Sequence, residues 1–273
     1  MNFVAEELAA NFDAETLVDD IVGLDGETYR EVKGRRTFRF LLNGKAYFAK
    51  VHLGVGWIEI AKNLLQLRLP VLGASNEHDA IRRLQQLNVE TMNAVAFGSE
   101  GHNPAQIRSC LITESLEHTM SIEELVLANK HTMGLKRQLL HRIGAIAKTL
   151  HENGVNHRDF YICHFLIPEK TLESGNVDHL HLIDLHRAQL RSGLVPRRWR
   201  EKDIAALLFS AADSGLTRTD LMRFIRSYSG RDYRARWLAD RVFWRGVVKK
   251  AHRLYFKDHG RSSKFLRDLE FSR

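Results

Sequence analysis

The chain predicts an α+β protein of two lobes, a small antiparallel β-rich lobe over residues 1–114 and a larger helical lobe over residues 115–273. Three observations carry this expectation. Residues 29–50 contain three short runs of strand composition, with Asn43-Gly44, a strong two-residue hairpin signal, between two of them. Beyond Thr113 the apolar spacing becomes helical. The order of strands first and helices afterwards is that of a segregated α+β arrangement.

The elements follow in order. Thr37-Phe38-Arg39-Phe40 and Tyr47-Phe48-Ala49-Lys50 are strands, with an earlier turn near Lys33-Gly34-Arg35. Trp57, Ile60, Ala61, Leu64 and Leu65 recur at helical spacing. Ser75 or Asn76 caps a second helix whose stripe is Ala80, Ile81, Leu84 and Leu87. Strands at residues 94–98 and 108–113 complete a five-stranded sheet. In the second lobe Ser121 and Glu124 form a capping box. A long amphipathic helix covers about residues 135–151 and stops at Asn153-Gly154. Short strands follow at residues 165–167 and 180–184, and helices resume at Asp203.

Composition narrows the class. Apolar residues make up 44% and charged residues 27% of 273, which suits a globular chain with a sizeable core. No apolar run approaches the ~20 residues of a membrane span. Residues 1–10 carry Glu6 and Glu7 and no basic stretch, so no secretory signal is expected. Cys110 and Cys163 lack metal-ligand spacing and read as small core residues of a reduced, cytoplasmic compartment. The balance of 41 basic and 33 acidic residues, +8, favours an anionic partner. No nucleic-acid module is legible, so no nucleic acid is expected among the partners.

The chemistry rests on four side chains. Asp159, in His157-Arg158-Asp159, stands on a loop between the long helix and a short apolar strand. An aspartate there orients a hydroxyl and accepts its proton during phosphoryl transfer. As a bare tripeptide it would equally be a charged surface turn. Asp184 ends the run that begins at Leu180, a position from which a carboxylate bridges magnesium and phosphates. Lys50 closes an alternating strand and suits a phosphate ligand; Glu77 lies near a helix start and is placed to ion-pair with it. Singly, Lys50 reads as a solvated strand end and Glu77 as a first-turn acid. Their order of Lys, Glu, Asp and Asp on strand, helix, loop and strand is that of a protein-kinase-like two-lobed fold, and it predicts ATP and Mg2+ as cofactors. Residues 111–114 read as the hinge, with backbone groups of Glu114 and Leu116 offered to adenine. Asp203 matches the aspartate that braces the catalytic loop, and it also reads as an N-cap.

The pattern has departures. One glycine, Gly34, stands amid Lys33, Arg35 and Arg36 where a glycine-rich run is usual, so basic side chains are expected to supply phosphate donors. His164 replaces the usual asparagine ligand five residues after Asp159. Asp184 is followed by Leu185-His186 rather than Phe-Gly.

With these residues in hand, the chain resembles the Kdo/heptose lipopolysaccharide kinase group of the protein-kinase-like fold, over about residues 27–228. The resemblance rests on residues 35–40, 62–65, 69–74, 156–159, 161–165, 183–191 and 196–200, strings that neither fold nor composition demands. It implies a cytoplasmic enzyme, peripheral on the inner face of the inner membrane, that phosphorylates the 4-hydroxyl of the first heptose of the lipopolysaccharide inner core. It also implies Asp159 as base, Lys50 as phosphate ligand, Asp184 as metal ligand with His164 beside it, and acyl carrier protein as a bound partner. Arg187, Arg191, Arg197, Arg198 and Arg200 follow the metal aspartate and are expected to bind the acceptor's carboxylates and phosphates. A second anionic or amphipathic partner is expected on residues 233–256, where cations alternate with Trp237, Trp244 and other apolar residues. Two alternatives stay open: another acceptor, such as a Kdo sugar or a protein hydroxyl, and a non-catalytic pseudokinase scaffold.

Overall fold

The computed structural model describes residues 2–32, 34–65, 70–130, 132–230 and 239–269. They divide into two units, one of Met1–Arg83, Met92–Glu117 and Leu185–Arg187, the other of Leu84–Thr91, His118–Asp184 and Ala188–Arg273.

The first unit is built on β1 (Phe3–Val4), β2 (Glu27–Val32), β3 (Arg35–Leu42), β4 (Lys45–Leu53), β5 (Ala94–Glu100) and β6 (Arg108–Glu114). They form one antiparallel sheet in the order β1-β5-β6-β4-β3-β2. Asn43 and Gly44 both take positive φ, 52° and 77°, and close the β3–β4 hairpin as the Asn-Gly pair predicts. The sheet has six strands where five were expected. The sixth, β1, is two residues long and pairs Phe3 with Phe97 and Val4 with Ala96; so short a strand has no period to read. Helix α1 (Leu17–Val22) then buries Leu17, Val18 and Ile21 in a core with Phe38, Ala49, Val51, Cys110 and Ile112.

Helix α2 (Gly56–Leu65) forms where its spacing predicts, but its stripe is not buried. Ile60 alone is covered, while Trp57 is 61%, Leu64 53% and Leu65 86% exposed, as is Ile58 at 88%. Spacing reports which residues share a face, not whether anything packs on it. Helix α3 (Ser75–Gln86) already includes Ser75 and Asn76, so neither caps it from outside; Ala80, Ile81 and Leu84 of the expected stripe are buried, and Leu87 lies beyond its end.

The second unit is mainly helical: α4 (Ile122–Leu127), α5 (Met133–Glu152), α6 (Glu169–Ser174), α7 (Arg197–Ser210), α8 (Arg218–Ser229), α9 (Arg241–His259) and α10 (Lys264–Asp268). Helix α5 packs on α8, and α7 on α9. Ser121 and Glu124 make the expected capping box, and Thr132 caps α5. Two small sheets flank these helices. One orders β10 (His181–Leu182), β9 (Phe165–Pro168) and β7 (Thr119–Ser121); the other pairs β11 (Gln189–Leu190) with β8 (Val155–Asn156).

Helix α7 starts six residues before the expected Asp203. Pro196 ends the extended segment, and Arg197 and Glu201 then form an i,i+4 ion pair that favours helix. Asp203 is therefore a buried mid-helix residue and not an N-cap.

The contribution of α1 is testable. Ile21→Ala should lower unfolding free energy by about 2–5 kcal/mol, the usual cost of emptying a fully buried isoleucine site. Urea denaturation should show a lower midpoint at unchanged slope.

Candidate active site

In the first unit Lys50 lies in β4, between Thr37 of β3 and Leu111 of β6. Its ammonium meets Glu77 Oε1 of α3 at 2.5 Å, and the Glu77 side chain is almost fully buried. A buried carboxylate needs such a partner. The same helix holds the segment after Asp184, because Asn76 Nδ2 donates to the His186 carbonyl at 2.8 Å. His52, buried in β4, reports the charge gathered here. Burial, then the charges of Arg35, Lys50 and His186, push its imidazole down to about 3.

The single Gly34 has a packing reason. At φ +77° it accepts the Leu53 amide on its carbonyl, and a Cβ there would sit 2.7 Å from the Gly54 carbonyl oxygen. Gly54, at φ +91°, is equally confined by the Ala105 carbonyl. Two glycines from the ends of two strands thus allow a close backbone approach. Lys33 lies outside the described residues. Arg36 is committed to the Leu24 carbonyl and to Thr28 Oγ1.

Glu114 ends β6. Its amide donates to the Asn93 carbonyl at 3.0 Å. Its carboxylate meets Lys45 and Asn93. Burial raises its pKa, but those hydrogen bonds outweigh it and hold the group below the usual range. Leu116 lies two residues on, between β6 and β7.

In the second unit Asp159 follows β8 on a loop held from behind by Asp203. The Asp203 carboxylate, buried in α7, accepts the His157 amide at 2.8 Å and the Arg158 amide at 3.0 Å. His151 Nε2 reaches it at 3.4 Å, and Tyr228 closes that chain at His151 Nδ1 (2.9 Å). Burial pushes the Tyr228 hydroxyl up to about 12, so it stays a donor. Arg158 is held at φ +73° and Asp184 at φ +63°. Left-handed non-glycine residues cost on the order of 1–3 kcal/mol and cluster at functional sites.

Two imidazoles link the aspartates. His164 donates Nδ1–H to the Asp159 carbonyl at 2.7 Å, which turns Nε2 toward Asp184 Oδ2 at 3.5 Å. His157 donates Nε2–H to the Ile183 carbonyl at 3.0 Å, and burial holds its pKa below the ordinary range, so it is a neutral donor. Sequence reading missed His157, although it lies beside Asp159. A buried histidine whose partner is a backbone carbonyl leaves no trace in spacing.

Among the described residues no three His, Cys, Asp or Glu side chains form a metal cage. Magnesium takes one or two carboxylates together with phosphates and water, and Asp184 is the group that would hold it. The His164 nitrogen is a poor magnesium ligand.

The five predicted acceptor arginines separate. Arg187 groups with the first unit. Arg191 spends its guanidinium on Asn156 Oδ1 and Gln189 Oε1. Arg197 pairs with Glu201 at 2.8 Å, and Arg200 lies over the Phe243 ring. Arg198 is exposed, 4.9 Å from the Trp199 ring centre. The expected basic loop is thus the first turn of a helix, with most of its cations engaged internally. In the C-terminal region residues 233–238, with Trp237, lie outside the described residues. Trp244 is buried in α9 with Phe243, Val247 and Val248, so it belongs to the core.

Comparisons with known proteins agree with this geometry. The chain matches the lipopolysaccharide kinase (Kdo/WaaP) family profile over residues 19–228. It is 46% identical over 240 residues to the lipopolysaccharide core heptose(I) kinase WaaP of Pseudomonas aeruginosa, covering 86% of this chain and 88% of that one. The protein of the same name from Escherichia coli K12 is 44% identical over 230 residues, covering 82% and 86%. A solved structure described as WaaP in complex with acyl carrier protein superposes with a TM-score of 0.80 at 37% identity, over 93% of this chain and 99% of that chain.

His52 makes a pH prediction. Its folded pKa, about 3, lies below the unfolded value of about 6.5. The stabilisation is therefore complete above about pH 6.5 and is lost as pH falls toward 3, by up to roughly 1.4 kcal/mol per pH unit. Melting temperatures from pH 7 to 4 should fall more steeply for the wild type than for His52→Gln.

Proposed function

Because the chain belongs to the lipopolysaccharide kinase (Kdo/WaaP) family, we propose that it transfers the γ-phosphoryl group of ATP to the 4-hydroxyl of the first heptose of the lipopolysaccharide inner core. The chain is an ATP-dependent kinase of lipopolysaccharide core biosynthesis. The acceptor hydroxyl and the residue roles are our reading, and the observation that carries it is the braced loop of Asp159, tied through His164 toward Asp184. In this reading residues 1–114 serve the nucleotide and residues 115–273 carry the catalytic loop and the acceptor site.

Asp159 orients the heptose hydroxyl and takes its proton as the oxygen attacks the γ-phosphorus. The bond from that phosphorus to the β–γ bridging oxygen breaks, and ADP departs. Lys50, held by Glu77, binds nucleotide phosphate; Arg35, the first residue of β3, and Lys33 add cationic donors. Asp184 is the residue that would hold Mg2+, which when bound would supply positive charge to the phosphate oxygens. The Glu114 carbonyl and the Leu116 backbone receive adenine.

One surface supports the wider reading. The exposed stripe of Trp57, Ile58, Leu64 and Leu65 on α2 suits an interfacial helix at the inner leaflet, where a lipid-linked acceptor resides. Among the described residues no helix is long and apolar enough to cross a membrane. A solved relative is described as being in complex with acyl carrier protein, and we carry such a protein as a bound partner of this chain.

Purified protein with ATP and a panel of truncated lipopolysaccharide acceptors tests the reading, with the product located by mass spectrometry. Asp159→Ala should lower turnover by about 10²–10⁴-fold at an unchanged melting temperature. Lys50→Ala and Asp184→Asn should impair transfer to every acceptor alike. Near wild-type turnover in folded Asp159→Ala would remove that residue from the mechanism.

A further inference from the structure

Asp184 is carried by very little regular structure. Strand β10, just before it, is two residues long and pairs on one side, with β9. An edge strand leaves its outward backbone groups without a ladder. Yet Leu180 and Leu182 are fully buried, where unpaired amides are costly. Asp184 itself stands at positive φ, a conformation that persists only where its surroundings impose it.

The open side of β10 is closed by two residues distant in sequence. Alternate residues of a strand direct their backbone groups to the same side. The Leu180 amide donates to Glu90 Oε2 and the Leu182 amide to the Glu90 carbonyl, each at 2.8 Å. The two acceptors of one residue thus match the two-residue repeat of the strand. Thr91 Oγ1 donates to the Leu182 carbonyl at 2.6 Å. The other oxygen of the Glu90 carboxylate accepts His179 Nδ1–H at 2.6 Å. Burial raises the Glu90 pKa, but the bonds from His179 and Leu180 outweigh it and hold the group below the usual range, so it is an ionised acceptor.

Glu90 and Thr91 are placed by the end of α3. Asn88, at φ 53°, stops the helix: its amide donates to the Gln85 carbonyl at 3.0 Å, and the Val89 amide to the Leu84 carbonyl at 2.9 Å. This is the left-handed stop with two bonds, asparagine taking the place of the usual glycine, and Leu84 and Val89 are both buried. The chain leaves α3 in a fixed direction, with Glu90 next after Val89. Residues 84–91 and 118–184 belong to the same unit.

We infer that Glu90 and Thr91 are positioning residues, which fix the register of residues 180–182 and through them present the Asp184 carboxylate to Mg2+. The inference rests on the metal reading of Asp184 above and deepens it. Ile183 is held by the His164 carbonyl at its amide and by His157 at its carbonyl. Those bonds secure the catalytic-loop side of the segment; Glu90 and Thr91 secure the residues that lead into it. A strand that slips by one residue turns every side chain to the opposite face, so the register of β10 decides where Asp184 points.

The test separates hydrogen bonding from packing. Thr91→Val keeps the shape and loses the donor, whereas Thr91→Ser keeps the donor and loses the methyl group. Glu90→Ala removes the Leu180 acceptor, and Glu90→Gln retains one. Amide exchange at Leu180, Leu182 and Ile183 is followed by NMR in nucleotide-free protein, and Mn2+ binding in the presence of ADP by electron paramagnetic resonance. Thr91→Val and Glu90→Ala should speed that exchange and weaken Mn2+ binding roughly 2- to 10-fold, the worth of one hydrogen bond. Thr91→Ser and Glu90→Gln should stay near the wild type. Thr91→Ser losing as much as Thr91→Val would mark a packing role and overturn the inference, as would wild-type exchange and Mn2+ affinity in both Thr91→Val and Glu90→Ala. If Asp184→Asn weakens Mn2+ binding and those two variants do not, the positioning role fails while the metal reading stands. If they speed exchange at residues 180–183 while Asp184→Asn leaves Mn2+ binding unchanged, the metal reading fails and the hold of Glu90 and Thr91 on β10 stands.

Discussion

The second unit depends on one buried carboxylate. Asp203 is 1% exposed and sits in the middle of α7. A carboxylate in such a place is costly unless its lone pairs are filled by donors. Here the donors are two consecutive backbone amides and a histidine. The amides of residues 157 and 158 can both face one carboxylate because the chain turns sharply between them, and the positive φ of Arg158 is that turn. The two hydrogen bonds to Asp203 thus offset both the strain at Arg158 and the burial of the carboxylate. Removing the carboxylate would release the strained turn and leave two amides unsatisfied. A loop braced in this way keeps Asp159 in place before any substrate arrives, the condition under which positioning contributes to rate.

The imidazoles extend that order toward the metal side. Where protein kinases keep an asparagine, this chain has His164, with Nδ1–H on the Asp159 carbonyl and Nε2 toward Asp184. Asparagine offers an oxygen to a second magnesium; imidazole offers it little. The exchange replaces an oxygen donor with an imidazole. In the first unit one helix, α3, holds both Lys50, through Glu77, and the segment after Asp184, through Asn76. Gly34 and Gly54 supply close backbone approach from separate strands.

What could be read from the sequence was whatever local chemistry enforces. Asn43-Gly44 specifies a turn because two positive φ values suit those residues, and Ser121 with Glu124 specifies a helix start because each satisfies the other's amide. The Lys, Glu, Asp, Asp order was legible because each residue type has a distinct task. Non-local matters were not. The pairing of β1 with β5 joins Val4 to Ala96, and the burial of α1 depends on a sheet that comes later in the chain. The exposure of Trp57 and Leu65 depends on what fails to pack against α2. The arginines misled for a related reason: composition shows that a segment is basic, but only the fold shows that Arg191 is spent on Asn156 and Arg197 on Glu201.

That distinction also decides how to regard α9. Its buried residues Phe243, Trp244, Val247, Val248, Ala251 and Tyr255 form one stripe, and Arg241, Arg245, Lys249 and Arg253 form the exposed one. This is the pattern of an ordinary amphipathic helix, whose cations cover a face that must meet water. Charge spread along a solvated stripe contributes to the overall +8 and to long-range attraction of anions. It does not specify a ligand, because each cation can be hydrated independently. At the start of α7, by contrast, Arg191, Arg198 and Lys202 converge on the single Trp199 ring.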